Sequence, residues 1–335
     1  MYNFFKCPKC GQAMELPSCL CGYTAEYQNK IYQLTDTPYI VKDDSADVKY
    51  IGYEDIGEYY SGKSLFEKIN IDGTHKKIAE IIGNGILLDL ACGDGAFTVP
   101  LVMQNIHVIS MDISDKMLGL LYKRAEISEI DISKLIVCRA NALDIPLMDN
   151  SVDAVIANSM LHLISKPENV VKEIHRVLKN DGKFITFEDS PGGGSVENND
   201  LTEEEKEENK KASELSEFIY GRYFNILKDE YNIYPQRYSW QFDREKVCSE
   251  IFSDKKIYTV GNKIKKTKNI FKDTFYHRIS GKGFSDQSDV PFDIHKIVVD
   301  RVMVEFTEKY GEKALEIGWN FSDRYETTEI ITYIK

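Results

Sequence analysis

The stretch Leu87–Phe97, "LLDLACGDGAF", reads as a buried strand that runs into a turn built around Gly93 and Gly95. Leu87, Leu88 and Leu90 make the short apolar run of a strand covered on both faces, and glycines let the chain bend tightly after it. The pattern alternates outward from there. "THKKIAEIIG" and "AFTVPLVMQN" read as helices, the second with Pro100 near its first turns, and "HVISMDIS" reads as a strand. "DKMLGLLYKRAEIS" is a helix capped by Ser114, and "KLIVCRAN" and "VDAVIANS" are strands. "KPENVVKEIHRVLKN" is a helix closed by Asp181 and Gly182, followed by the strand "KFITFED". Strands alternating with helices at this spacing predict βαβ units and an α/β fold with a doubly wound, Rossmann-like parallel sheet. Such sheets bind ligands at the carboxyl ends of their strands.

Composition narrows what the sheet can serve. The chain has 335 residues, 42% hydrophobic and 29% charged, which is room for one large domain and an appendage. No apolar run reaches the ~18 residues of a membrane span. "MYNFFKCPKC" lacks a secretory pattern, so a cytoplasmic protein with no membrane partner is expected. A net charge of −12 argues against a surface that coats nucleic acid.

Four of the seven cysteines fall in the first 21 residues. Cys7 and Cys10 form a C-x-x-C knuckle, Cys19 and Cys21 a C-x-C pair, and Gly11 and Gly22 follow them. Soft thiolates at this spacing suit one closed tetrahedral Zn²⁺ with no open position, a structural rather than catalytic metal. Two disulfides or four free thiols are the alternatives. Residues 1–40 are therefore expected to form a zinc-ribbon-like segment, with a polar linker after it. The sheet should keep its own core and tolerate loss of that segment. Cys92, Cys138 and Cys248 are isolated and read as small core residues.

The ligand of the turn can be argued from charge. A dinucleotide fingerprint needs a third glycine for close packing, and Thr98 stands there. Asp89 and Asp94 would repel a pyrophosphate and attract a cation. Asp112, ending "VISMD", can accept both hydroxyls of a ribose. A ligand with a ribose, an adenine and an ammonium group but no phosphate is S-adenosylmethionine.

These segments resemble the class I S-adenosylmethionine-dependent methyltransferases, specifically the branch with many small-molecule enzymes. "LLDLACGDGAF" is similar to the family's first motif and "VISMDIS" to its ribose-binding strand. "ANALDIPLMDNSVDAVIANSMLHLISKPENVVKEIHRVLKNDGKFI" is similar to its third-to-fifth-strand block. The resemblance covers about Ile78 to Glu188, within a methyltransferase domain expected over residues 50–335. It implies cofactor contacts from Asp89, Ala91, Gly93, Asp94, Gly95, Asp112, Ile113, Asn141, Ala142 and Asn158, and an aromatic contact from Tyr59 or Tyr60. Asn141 departs from the aspartate that often receives the adenine amino group, but its carbonyl can accept the same hydrogen bond.

The methyl acceptor is harder to read. A helical lid insertion is expected at about 195–240, opened by a Thr202/Glu205 capping box. "KKIYTVGNKIKKTKNIF" and "RYETTEIITYI" read as closing strands. Seven lysines and no acid lie between Lys255 and Lys272, a run that could meet an anion but more often guards an edge strand. No catalytic residue is assigned. His162 beyond the fourth strand, and Tyr276 and Arg278 in "TFYHRISGKGFS", are the candidates, with packing roles as the alternative. The expected function is methyl transfer to a small molecule. Ribosomal RNA guanine methylation using the ribbon, and a non-catalytic cofactor-binding role, are the alternatives. RNA is disfavoured because residues 1–45 carry four lysines against five acids.

Overall fold

The computed structural model describes residues 4–41, 45–52, 71–187, 201–234, 242–264, 266–287, 290–321 and 324–335. Short strands β1 (Phe5–Lys6), β2 (Ala13–Met14), β3 (Glu26–Gln28) and β4 (Ile31–Gln33) open the chain, followed by β5 (Ile40–Val41) and β6 (Tyr50–Ile51). The alternating region holds α1 (Gly73–Ile82), β7 (Ile86–Leu90), α2 (Thr98–Met103), β8 (His107–Asp112), α3 (Asp115–Ile127), β9 (Leu135–Arg139), β10 (Val152–Ala157), α4 (Pro167–Val177) and β11 (Leu178–Phe187). Then come α5 (Glu203–Tyr231), α6 (Arg244–Ile251), β12 (Asp254–Ile264), β13 (Thr267–Ile270), α7 (His277–Ser280), α8 (Phe292–Tyr310), β14 (Gly318–Phe321) and β15 (Arg324–Ile334).

Nine strands form one sheet in the order β12-β15-β11-β10-β7-β8-β9-β4-β3. Strands β7 to β11 are mutually parallel, and β15 lies antiparallel between β11 and β12. Successive side chains of a strand face opposite ways. Leu87, Val108, Val137, Ala154 and Ile185 accordingly pack on α1, α2 and α3, while Leu88, Ile109, Cys138, Val155 and Phe184 pack on α4 and α6. The strand order reverses at β7, which has β8 on one side and β10 on the other. The crevice opens at the carboxyl end of that strand.

Three features differ from the sequence expectations. The amino-terminal segment is not a separate unit: β4 pairs in parallel with β9, and Phe5, Cys7, Met14, Ala25 and Leu34 belong to the same buried cluster as Leu88 and Val155. The open edge of β9 and its apolar face attract the hairpin more strongly than a free-standing ribbon could be stabilised by its own few residues. Second, α4 stops at Val177, ahead of Asp181 and Gly182, because Leu178 already pairs with Val152. Residues 179–182 bulge out before Lys183 resumes the ladder opposite Ala154, with Asp181 at φ 63°. Third, the expected insertion at 195–240 is only part of a larger lobe. Helix α5 packs against α8, and Leu215, Ile219, Tyr223, Phe271, Val302 and Phe306 form a third buried cluster there. The aromatic ring of Phe271 stacks between those of Phe306 and Trp319, tying β13 and β14 into the same lobe.

Three of the seven lysines of the run are paired with acids. Lys255 pairs with Glu245, Lys266 with Glu205 and Lys268 with Glu208, so the acidic start of α5 faces the basic strand rather than solvent alone. Among the described residues no helix is long and apolar enough to cross a membrane.

Candidate functional site

A cleft of about 1060 Å³, open mouth included, lies over the carboxyl ends of β7, β8, β9 and β10. Asp89 lines it from β7 and Ala91, Gly93 and Asp94 from the turn that follows, Asp112 and Ile113 from the end of β8, Asn141 and Ala142 from beyond β9, and Asn158 from just after β10.

The turn after β7 alternates left-handed residues: Ala91, Gly93 and Gly95 have φ of 55°, 54° and 83°. It is pinned by Cys92 N–H to the Met111 carbonyl, 3.0 Å, and by Gly93 N–H to Asp112 Oδ2, also 3.0 Å. Gly95 does not reach the cleft; it is the point where the turn presses on α3, and a Cβ there would stand 2.9 Å from Leu121 Cγ. Gly95→Ala combines that clash with a left-handed strain of about 1–2 kcal/mol. The melting temperature should fall by several degrees, read by thermal denaturation; an unchanged melt would show that the turn adjusts freely.

Asp89 is buried, and the Thr98 hydroxyl donates to its Oδ2 at 2.6 Å. Ser110 Oγ lies 2.7 Å from Thr98 Oγ1, extending the network into β8. Threonine at the position where a dinucleotide turn keeps glycine is thus a buried clamp on the acid. Burial pushes the Asp89 carboxyl up to about 7, the Thr98 bonds oppose this, and the Asp112 and Asp94 carboxylates add to it. Asp94 behaves differently from the expectation that it draws a cation. It is buried in an ion pair with Arg124 of α3, so its charge is already matched within the protein.

Asp112 is held at both oxygens. Oδ2 accepts the Gly93 N–H and Oδ1 the Ser114 N–H, each at 3.0 Å, and an ionised carboxylate offers about four acceptor sites in all. Asn141 accepts the Leu143 N–H at 3.0 Å, while its amide group donates to Thr37 Oγ1 at 3.3 Å and to the Tyr50 hydroxyl at 3.4 Å. That network orients its carbonyl and leaves one acceptor position for an amine.

Other candidates fall elsewhere. His162 sits in the turn Leu161–Leu163; Met160, Leu163 and Ile164 line the cleft and His162 does not. Tyr276 and Arg278 belong to the carboxyl-terminal lobe: Arg278 lies over the Phe284 ring at 4.5 Å and donates to the Gly283 carbonyl, and neither residue lines the cleft. Helix α7, which carries Arg278, packs on α8. Tyr59 and Tyr60 lie outside the described residues. Conversely, Tyr50, Ile51 and Gly52 line the cleft from what reads as a polar linker. The apolar pair in "VKYIGYED" was the signal for them.

At the amino terminus the Sγ atoms of Cys7, Cys10, Cys19 and Cys21 all lie within 4.8 Å of one another, and no disulfide joins them. The Cys7–Cys21 and Cys10–Cys19 separations are 3.7 and 3.6 Å. Four thiolates about 2.3 Å from one Zn²⁺ stand roughly 3.8 Å apart, so the donor set fits that ion. The Tyr23 backbone N–H holds the Cys21 thiol down to about 7, while, despite their own backbone hydrogen bonds, the Cys10 and Cys19 thiols are pushed up by burial and neighbouring thiols.

A parallel sheet with its switch point at β7, a carboxylate fixed at the end of β8 and an acid buried under the turn agree with a class I methyltransferase domain. Residues 88–186 match the family model described as a methyltransferase domain. A demethylmenaquinone methyltransferase of Lactobacillus johnsonii is 35% identical over 106 residues, 31% of this chain and 43% of that protein. A chloroplastic methyltransferase of Arabidopsis thaliana is 34% identical over 105 residues, 30% of each chain. The chain thus spans less than half the length of these curated relatives. Among solved structures, the Haemonchus contortus phosphoethanolamine N-methyltransferase 2, in complex with S-adenosylhomocysteine, superposes with a TM-score of 0.42 at 16% identity, covering 84% of this chain and 58% of that one.

Proposed function

We propose that the protein transfers the methyl group of S-adenosylmethionine to a small organic acceptor. The observation that carries this reading is Asp112, fixed at both oxygens at the carboxyl end of β8 where it lines the cleft. When bound, the cofactor supplies a methyl already activated by a positively charged sulfur. The protein's share is to place the acceptor in line and exclude water, which can supply about 7–11 kcal/mol of the barrier. Asp112 would take the ribose hydroxyls, Asn141 the adenine amino group, and Asp89 the ammonium group.

The rest of the cleft suits an apolar acceptor. Ile51, Phe97, Met160, Leu163 and Ile164 line it, and Phe97 stacks on Phe187 at 5.0 Å. Relatives named demethylmenaquinone methyltransferases support a small molecule over RNA. Calorimetry should show S-adenosylhomocysteine binding and no NAD binding; preference for NAD would end this reading. The four cysteines would hold one structural Zn²⁺.

Asp89 makes binding pH-dependent. The folded protein keeps its proton up to about pH 7, whereas a solvated aspartate loses it near ~3.9. The fold therefore holds an extra proton across that window, and its stability falls as pH rises through it. A bound ammonium group favours the carboxylate, so binding below the folded pKa must release a proton. Of the groups around Asp89, Asp112 and Asp94 oppose its ionisation, Asp94 is matched by Arg124, and the buried Cys92 thiol is pushed up and stays neutral. Affinity for S-adenosylhomocysteine should fall by up to about tenfold per unit as pH drops below about 7. Calorimetry in buffers of different ionisation heat should register the released proton, and Asp89→Asn should abolish it. A flat affinity between about pH 5.5 and about pH 8 would remove Asp89 from the ammonium site.

A further inference from the structure

We propose that Arg139 is a positioning residue of the cofactor cleft and couples it to the four-cysteine knuckle, so that cofactor and metal bind cooperatively. This rests on the cofactor and zinc readings above. Arg139 ends β9, opposite Gln33 of β4, and its backbone carbonyl accepts the Leu34 N–H at 3.0 Å. Its guanidinium then joins three carbonyls from two distant segments. Nε donates to Ile113 at 3.0 Å, Nη1 to Thr35 at 2.8 Å and Nη2 to Thr37 at 2.7 Å. The planar fork with donors at fixed angles makes this possible; a lysine offers a single point and cannot span it.

Each carbonyl leads to the cleft. Ile113 lines it and follows Asp112 in sequence. Thr37 meets Asn141 through its hydroxyl, the neighbouring Pro38 carbonyl accepts the Tyr50 hydroxyl at 2.8 Å, and the Tyr39 carbonyl accepts the Gly52 N–H at 2.6 Å. Gly52 packs so closely on this strap that a Cβ would stand 2.7 Å from both Ile113 Cγ2 and the Tyr39 carbonyl. The wall formed by Tyr50, Ile51 and Gly52 is thus hung on residues 35–39, which Arg139 holds against β8.

The other end of the strap is the knuckle. The Tyr23 hydroxyl, two residues beyond Cys21, donates to the Gln33 carbonyl at 3.3 Å. On the opposite side, Lys6 N–H donates to the Pro146 carbonyl and Met148 N–H to the Phe4 carbonyl, so the strand that leads into Cys7 grips the loop following Asn141 and Ala142. The knuckle therefore braces the cleft wall from both sides of β9. A metal that orders the four thiolates orders both braces, and a cofactor that orders the wall favours the metal-competent knuckle by the same factor.

The test uses the full chain and two equilibrium titrations, S-adenosylhomocysteine by calorimetry and Zn²⁺ by competition with a chromogenic chelator. In the wild type, removing the metal should weaken S-adenosylhomocysteine at least fivefold, and saturating S-adenosylhomocysteine should tighten Zn²⁺ by the same factor. In Arg139→Met the zinc-loaded protein should bind S-adenosylhomocysteine about tenfold more weakly, hold about one metal per chain, and show a linkage factor below two. Arg139→Lys should fall between them. A purely structural role would lower the melting temperature and leave the linkage factor intact. Wild-type protein that binds both ligands with independent affinities overturns the inference while leaving the cofactor reading standing. Wild-type protein that fails to bind S-adenosylhomocysteine overturns both. The wild-type linkage is decisive by itself where Arg139→Met fails to fold.

Discussion

Replacing Asp112 by alanine should weaken S-adenosylhomocysteine binding by roughly a hundredfold or more. Two hydrogen bonds from ribose hydroxyls to an ionised acceptor are each worth about 1.5–3 kcal/mol, and about 1.4 kcal/mol is tenfold in affinity. The loss reaches beyond the ligand. The same carboxylate receives the Gly93 and Ser114 N–H groups, so its removal frees the turn after β7 and the start of α3 together. Asp112→Asn is a sharper probe: the shape stays, but one oxygen becomes an NH₂ that faces an N–H donor. It should bind nearly as poorly as alanine. Affinity within threefold of wild type for both variants, by calorimetry, would show that Asp112 does not receive the ribose.

Deleting residues 1–40 should leave a chain that does not fold cooperatively. Phe5, Met14, Ile31 and Leu34 are each at most 4% exposed. Burying such side chains contributes about 1.5–3 kcal/mol apiece, so the four together rival the ~5–15 kcal/mol net stability of a typical domain. The cut also removes β4 and bares the N–H and C=O groups of β9, a template for aggregation. Thermal melts and solubility decide the matter. A soluble truncation that melts in one transition and binds S-adenosylhomocysteine would show that the sheet is self-sufficient.

Local pattern made the heart of the site readable. Leu87 to Gly95 and the strand ending at Asp112 combine an apolar run, a turn that needs positive φ and an acid at a strand end, all within a few residues of one another. What was not readable depends on partners far away in sequence. Asp94 reads as an open anion until Arg124, on the next helix, is brought against it. Tyr50 reads as linker until Asn141 and Pro38 meet its hydroxyl. The helix before β11 reads as ending at Gly182, the strongest local stop signal, but the ladder to Val152 ends it at Val177. Tyr276 and Arg278 are placed by their packing in the carboxyl-terminal lobe, which no local pattern around them announces. The carboxyl-terminal lobe was half seen, because the helix α5 carries its own capping box while β13 and β14 depend on each other across about fifty residues.

Strand β15 has a bearing on how the molecule is made. It lies between β11 and β12, pairing with β12 along its whole length and with β11 over Ile330–Ile334, and it follows every other strand of the sheet in sequence. On a growing chain, β11 and β12 wait with facing edges that cannot pair with each other in their final positions. A chain elongating at ~5–20 residues per second needs several seconds to supply β13, α8 and then β15. The amino-terminal hairpin and β7 to β10 can assemble during that interval with β11 on one edge, since only the outer edge of β11 waits for β15. The cofactor crevice belongs to this early half, whereas Phe187, stacked on Phe97 at its rim, pairs with Ile330 of the late strand. The cofactor end of the cleft is therefore assembled first, and the rim at Phe97 and Phe187 is completed only when β15 slides between its two neighbours.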